Sequence, residues 1–173
     1  MRFIGAAATL FLLALILGIS PSRPAVGAPP ADGRDVFRYD TFGDEQLWTD
    51  VFRLNEAIET VSPATALTVG LKVDADALPP PVINALAAGT LDVNDPRVTR
   101  RLLELNAVVG VMAKIADGHI KSVGITCALC HSTVDDSLAP GIGRRLDGWP
   151  NLDLDVGTIV ALAPGFPDDL REE

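Results

Sequence analysis

The sequence predicts a mainly α-helical fold with one small β-hairpin. Two patterns predict it: apolar residues recur at helical spacing over residues 41–106, and two β-branched segments flank a turn after residue 107. The chain has 173 residues, which suffice for one domain. We therefore expect a helical N-terminal region over 41–106, followed by a hairpin and a site-bearing region over 107–173.

The charge balance limits the partners of the chain. Lysine and arginine number 14 against 23 acidic residues, and the formal net charge is −9. An acidic surface repels phosphates and anionic lipid head groups, so nucleic acid is not expected as a partner. A basic protein or a small molecule fits this surface better.

Residues 1–27 are predicted to be a secretory signal peptide. Residues 3–19 carry no charge and follow Arg2, and small residues at Ala25, Gly27 and Ala28 supply a cleavage site. The apolar run falls short of the roughly 20 residues that span a bilayer. We expect a periplasmic or otherwise exported protein without stable membrane insertion after cleavage; an uncleaved N-terminal anchor is the alternative.

Residues 28–40 are predicted to be a linker. A helix is expected to begin near Gly43, since Asp44 and Glu45 suit a first helical turn. Its apolar positions follow at helical spacing: Leu47, Val51, Leu54, Ile58 and Val61. Proline at residue 63 drives Ser62 out of the helical region, so the helix should end there.

Three further segments complete the helical region. Residues 64–73 are expected to be irregular or weakly extended. Residues 76–89 predict a short helix that three prolines begin and Gly89 ends. Asp95 followed by Pro96 predicts a clean helix start, with a capping carboxylate before proline at the first helical position.

Residues 108–115 and 119–126 predict a β-hairpin. Both are apolar and β-branched, and they flank Ala116-Asp117-Gly118, which is typical of a tight turn. The second strand leads directly into the two cysteines of the chain.

The segment Cys127-Ala128-Leu129-Cys130-His131 has the C-x-x-C-H pattern of covalent c-type haem attachment. On one helical turn this spacing puts both sulfurs on the same side, where each can form a thioether with one haem vinyl group. The adjacent His131 then projects toward the iron as its proximal ligand. One haem, bound through Cys127 and Cys130, is the expected cofactor.

Over residues 123–149 the chain resembles the c-type cytochromes. A glycine-rich loop at 139–149 follows the motif, and the resemblance implies a cytochrome c-like haem segment in which the Pro140 carbonyl accepts the proximal N–H of His131. Arg144 and Arg145 are candidates to pair with the haem propionates, because a guanidinium offers a planar fork to a carboxylate. Trp149 is a candidate to shield the ring.

The resemblance implies single-electron transfer with a redox partner protein. A peroxidase-like haem enzyme with an open distal position is the alternative. A zinc module using Cys127, Cys130, His131 and His119 is less favoured, because the adjacent Cys130 and His131 would have to turn onto one ion. A thioredoxin-like dithiol and a structural disulfide are also weaker interpretations of the two cysteines.

The sixth iron ligand has no obvious source. Class I cytochromes take a methionine downstream of the motif, whereas neither methionine nor histidine follows His131 here. Met112, His119, water or another chain remain, and the linker-like residues 164–173 favour the N-terminal part of a longer cytochrome. Because aromatic residues make up only 5% of the chain, the porphyrin is expected to form much of the core and the apoprotein to fold poorly.

Overall fold

The computed structural model describes residues 32–170, so the predicted signal peptide lies outside the described residues. The fold is mixed, with 41% of residues helical and 18% in strands, and three small two-stranded sheets are formed in the described range. The prediction of a mainly α fold is therefore wrong. The prediction failed because the strands outside the hairpin have only two or three residues each, too few to show the alternating pattern of a strand.

The first helix, α1 (Gly33–Tyr39), lies within the segment 28–40 that we expected to be a linker. The Asp32 carboxylate caps the start of this helix by accepting the N–H of Arg34 at 2.9 Å. Phe37 packs against a small apolar cluster formed by Val109, Ala128 and Val134.

The segment 43–61, predicted as one helix, is helical but broken. A π-helical turn (Gln46–Val51) is followed by α2 (Leu54–Ile58). Arg53 separates them with a left-handed backbone, at a φ of 57°. Such a backbone interrupts the helical ladder, and Leu54 beyond it is buried in the core.

Residues 64–73 are more ordered than expected. Helix α3 (Pro63–Thr68) begins at the same Ser62-Pro63 pair that ends the preceding helical region. The Ser62 hydroxyl accepts the N–H of Thr65 at 3.2 Å, and Pro63 occupies the first helical position. Strand β1 (Val73–Asp74) and a 3₁₀ turn (Ala75–Ala77) follow.

The next two helices confirm the predictions made from capping residues. Helix α4 (Pro80–Ala87) is entered at prolines, and Gly89 follows it with a φ of 66°. Helix α5 (Pro96–Glu104) begins at Asp95, whose carboxylate accepts the N–H of Arg97 at 2.9 Å.

The predicted hairpin is confirmed as β2 (Val111–Ala116) and β3 (His119–Ile125). The strands are antiparallel, and a register irregularity lies between Lys114 and Ile115. Asp117 and Gly118 both have positive φ, which is the geometry of a tight hairpin turn.

The remaining elements are short. After the hairpin they are α6 (Ala128–His131), β4 (Ser132–Val134), β5 (Ile142–Gly143), β6 (Arg145–Asp147), α7 (Val156–Ala161) and a 3₁₀ turn (Asp168–Leu170). Strand β4 pairs antiparallel with β6, and β1 pairs in parallel with β5, which is distant from it in sequence.

The main core is aliphatic and includes Leu103, Val123 and Leu129. Cys127, Cys130 and His131 are not part of it. Since the chain's own side chains form this core, we now expect the haem-free chain to fold, in place of the poorly folded apoprotein expected from the aromatic content. Among residues 32–170, none of the helices is long and apolar enough to cross a membrane.

Candidate haem attachment site

The C-x-x-C-H segment forms one helical turn in which the two cysteines and the histidine face solvent and the two residues between the cysteines face the interior. Cys127, Cys130 and His131 are exposed, whereas Ala128 and Leu129 are buried. Residues three apart lie on the same face of a helix, so the two thiols share one exposed face. Both thiols are free.

The start of this turn is fixed to the base of the hairpin. The N–H of Thr126 donates to the Gly110 carbonyl at 3.0 Å. Thr126 in turn accepts the N–H of Ala128 through its hydroxyl at 3.3 Å and the N–H of Leu129 through its carbonyl at 3.1 Å. The backbone of the motif is therefore anchored on its N-terminal side.

The end of the turn is held by the chain that follows β6. Gly148 donates its N–H to the His131 carbonyl at 2.8 Å, and Asn151 donates its N–H to the Cys130 carbonyl at 2.9 Å. Trp149 lies between these two residues in the chain, so its backbone is held near the motif. Trp149 is 63% exposed and Leu152 is 89% exposed, so large apolar surface lies open on this segment.

Pro140 lies on a tight turn in which Ile142 donates its N–H to the Ala139 carbonyl at 2.8 Å. Gly141 has a φ of 76°, as this turn requires, and its carbonyl accepts the N–H of Val73. The turn is thus attached to β1. Within the described residues, no hydrogen bond joins Pro140 to His131.

The guanidinium of Arg144 is exposed and its Nε lies 3.2 Å from Asp135 Oδ2. Hydrogen bonds from Ser137 and Arg144 hold the pKa of Asp135 well below its usual value. Arg144 is thus paired with Asp135 at the surface, and its role toward a propionate stays a prediction.

Arg145 is in a different environment, with its side chain only 3% exposed. Its Nε lies 3.1 Å from Asp147 Oδ1 without the geometry of a hydrogen bond, and its Nη2 has no acceptor. Burial lowers the pKa of the Arg145 guanidinium. Asp147 is shared with Arg38 and with the Ser132 hydroxyl, at 2.6 Å and 2.9 Å.

Sequence reasoning missed Arg38 and Asp147 as neighbours of the motif. Arg38 lies in the segment expected to be a linker, and the two residues are 109 positions apart. Residues so far apart share no local pattern, so only the pairing of β4 with β6 brings Asp147 opposite Ser132, next to His131.

The two candidates for a sixth ligand lie on the hairpin. Met112 borders a groove with Tyr39, Thr41 and Glu45. His119 lies at the hairpin turn, where its Nδ1 is 3.7 Å from Glu59 Oε1. His119 and Ile125 are six residue steps apart along β3, which places His119 about 20 Å from the motif.

The zinc interpretation finds no support in this geometry. Over residues 32–170, no three His, Cys, Asp or Glu side chains cluster in a way that could hold a metal ion. His119, the fourth ligand that this interpretation needs, lies at the opposite end of the hairpin from Cys127.

Compared with known proteins, the chain matches no family model, no curated protein and no solved structure.

Proposed function

We propose that this protein is an exported c-type cytochrome that carries one haem and transfers single electrons. Cys127 and Cys130 would hold the haem covalently, and His131 would be the proximal ligand of the iron. The observation that carries the proposal is the shared exposure of these three side chains on one helical turn. The proposal does not extend to the mainly α fold of class I cytochromes.

The residues present fit a covalently held haem. Each thiol would add across one vinyl group: a sulfur–carbon bond forms, the carbon–carbon double bond becomes single, and the thiol proton moves to the neighbouring carbon. This addition needs no oxidant, and both thiols are free for it. Trp149 and Leu152 expose the apolar surface that a porphyrin would cover.

The protein's own part in electron transfer is to hold and orient. When bound, the haem supplies an iron that cycles between Fe(II) and Fe(III). The hydrogen bonds from Gly148 to His131 and from Asn151 to Cys130 fix the backbone on which the imidazole and the second thiol stand. A fixed ligand frame lets the iron change oxidation state without rearrangement of the chain.

The peroxidase-like alternative is less well supported. Such an enzyme needs an acid–base group on the distal side of the iron. His119 and His131 are the only histidines of the chain, and His119 lies at the far end of the hairpin beside Glu59. Electron transfer requires no such group, so it is the function that we favour.

The acidic composition favours a basic redox partner. Steering between opposite charges weakens as salt screens them, with a Debye length of about 10 Å at 0.1 M ionic strength. The rate of reduction by a basic partner should therefore fall as salt rises.

The test is expression of the full chain in a host that exports proteins and attaches haem c. We expect a coloured protein with the reduced α-band of a covalently held haem. The double variant C127S/C130S should be colourless, whereas H119A, which alters a residue distant from the motif, should keep the spectrum. A colourless wild-type protein would overturn the proposal.

A further inference from the structure

Three arginines gather around a single carboxylate beside the motif. Arg38 Nη2 lies 2.6 Å from Asp147 Oδ2, Arg145 Nε lies 3.1 Å from Oδ1, and Arg34 Nε lies 4.0 Å from Oδ2. Asp147 also accepts the Ser132 hydroxyl at 2.9 Å. One carboxylate thus serves three guanidinium groups in a chain that is acidic overall.

The hydrogen-bonding capacity of this cluster is not filled. The Nε and Nη2 atoms of Arg145 are buried without a hydrogen-bond acceptor. A buried donor without an acceptor costs about 1–3 kcal/mol. Because Asp147 is divided among several donors, these two Arg145 atoms lack an acceptor, and a second oxyanion bound by the other arginines would free Asp147 to serve them.

Other acidic residues near the cluster are already engaged. Asp32 accepts the N–H of Arg34, and Asp40 accepts the N–H of Phe42. Asp74 interacts electrostatically with Arg145, but its Oδ1 accepts the N–H of Asp76. None of these three carboxylates accepts a hydrogen bond from the Nε or Nη2 of Arg145.

An open groove reaches this cluster from the solvent. It is lined by Gly33, Arg34, Phe37, Asp147 and Gly148. Gly148 donates to the His131 carbonyl, so the groove lies directly beside the C-x-x-C-H turn.

We propose that Arg34 and Arg38 form a binding site for an oxyanion, a carboxylate or phosphate group that enters through this groove; the buried Arg145 does not line the groove and is affected only through Asp147. The oxyanion accepts hydrogen bonds from the guanidinium groups of Arg34 and Arg38, which in its absence both face Asp147. The Asp147 carboxylate is then free to turn toward Arg145. The oxyanion comes either from a free small molecule or from a propionate of the attached haem; only the second source rests on the proposed function.

The site is tested first in the haem-free full chain carrying C127S/C130S. Its thermal unfolding is followed against inorganic phosphate, with chloride keeping the ionic strength constant. Phosphate should raise the midpoint in a saturable manner, because a ligand that binds only the folded state stabilises it. Phosphate binding can be measured whether or not the protein ever carries haem.

Two matched variants locate the site. R34A removes an exposed guanidinium, 66% accessible, and should raise the apparent dissociation constant for phosphate about tenfold. R101A removes a similarly exposed guanidinium, 60% accessible, from helix α5 and should leave the constant unchanged. R34A is at the surface, so its effect does not depend on refolding of the core.

The same phosphate titration of the haem-bound protein distinguishes a free oxyanion from a haem propionate. Loss of the phosphate response on haem attachment identifies a propionate in the site, and an unchanged response identifies a free oxyanion. A haem-free chain that shows no saturable response, or an equal loss in R34A and R101A, would overturn the site while leaving the proposed electron transfer intact.

Discussion

Gly110 lies directly against Leu129, the third residue of the C-x-x-C-H turn. A Cβ atom at residue 110 would overlap the backbone nitrogen and Cα of Leu129. Gly110 also has a φ of 77°, and its carbonyl accepts the N–H of Thr126. The base of the hairpin therefore positions the motif through a residue that has no side chain.

Replacement of Gly110 by alanine should destabilise the protein. The variant combines an unfavourable positive φ with a clash against backbone atoms that cannot move aside. We expect a loss of about 3 kcal/mol in the free energy of unfolding, measured by urea denaturation. G118A is the matched control, because Gly118 has a φ of 74° and nothing near its Cβ position; about 1 kcal/mol is expected there. Equal losses in the two variants would contradict this close packing.

His131 and His119 are both exposed, but their replacement by alanine should affect the haem spectrum differently. H131A should keep the mass of attached haem, because the two thioethers remain, but its reduced spectrum should change through loss of the proximal imidazole. Free imidazole added to H131A should restore the wild-type bands. H119A should show the wild-type spectrum throughout. If H131A and the wild type gave identical spectra, His131 would not be the ligand.

The distal position should be accessible to carbon monoxide. His119 lies about 20 Å from the motif, too far to reach an iron held by His131, and the side chain of Met112 borders a groove with Tyr39 and Glu45. We expect the ferrous protein to bind one carbon monoxide per haem, seen as a shift in its absorption bands. M112L should bind it equally and keep the ferric spectrum. Altered ferric bands in M112L would instead assign its sulfur as the sixth ligand.

Asp147 should make stability depend on pH. Burial acts to raise the pKa of Asp147, but hydrogen bonds from Arg38 and Ser132 outweigh it, and the pKa lies below its usual value. A lowered folded-state pKa stabilises the protein above the unfolded pKa of about 3.9, and this contribution is lost as the pH falls through the folded value.

The variant D147N tests this pH dependence. At neutral pH it leaves the buried Arg145 without its nearest carboxylate, and we expect a loss of about 3 kcal/mol in the free energy of unfolding. The difference from the wild type should shrink as the pH falls below the unfolded pKa of about 3.9 and through the lower folded pKa of Asp147. A difference that stayed constant over this range would argue against an ionised Asp147 in the folded state.

Local signals predicted the parts of the structure that local chemistry decides. The Asp95 cap begins α5, the Asp117-Gly118 turn closes the hairpin, and the C-x-x-C-H segment forms a helical turn. In each case a few adjacent residues suffice to fix the backbone. The expected exposure of both thiols on one face follows from the same spacing.

The fold class and the surroundings of the motif could not be predicted in this way. Strand β1 pairs Val73 with Ile142, and the two residues are far apart in sequence. Strands of two or three residues show no alternation that a pattern could detect. Arg144 and Arg145 are adjacent in sequence, yet one is paired at the surface and the other is buried, which only the tertiary structure decides.

The most direct test of the proposed cytochrome is the intact mass of the purified, exported protein before and after acid–acetone extraction. We expect a chain without its leader that carries the added mass of one haem, retained through extraction in the wild type and absent from C127S/C130S. A polypeptide with no added mass, or a pigment that the solvent removes completely, would contradict covalent attachment at Cys127 and Cys130.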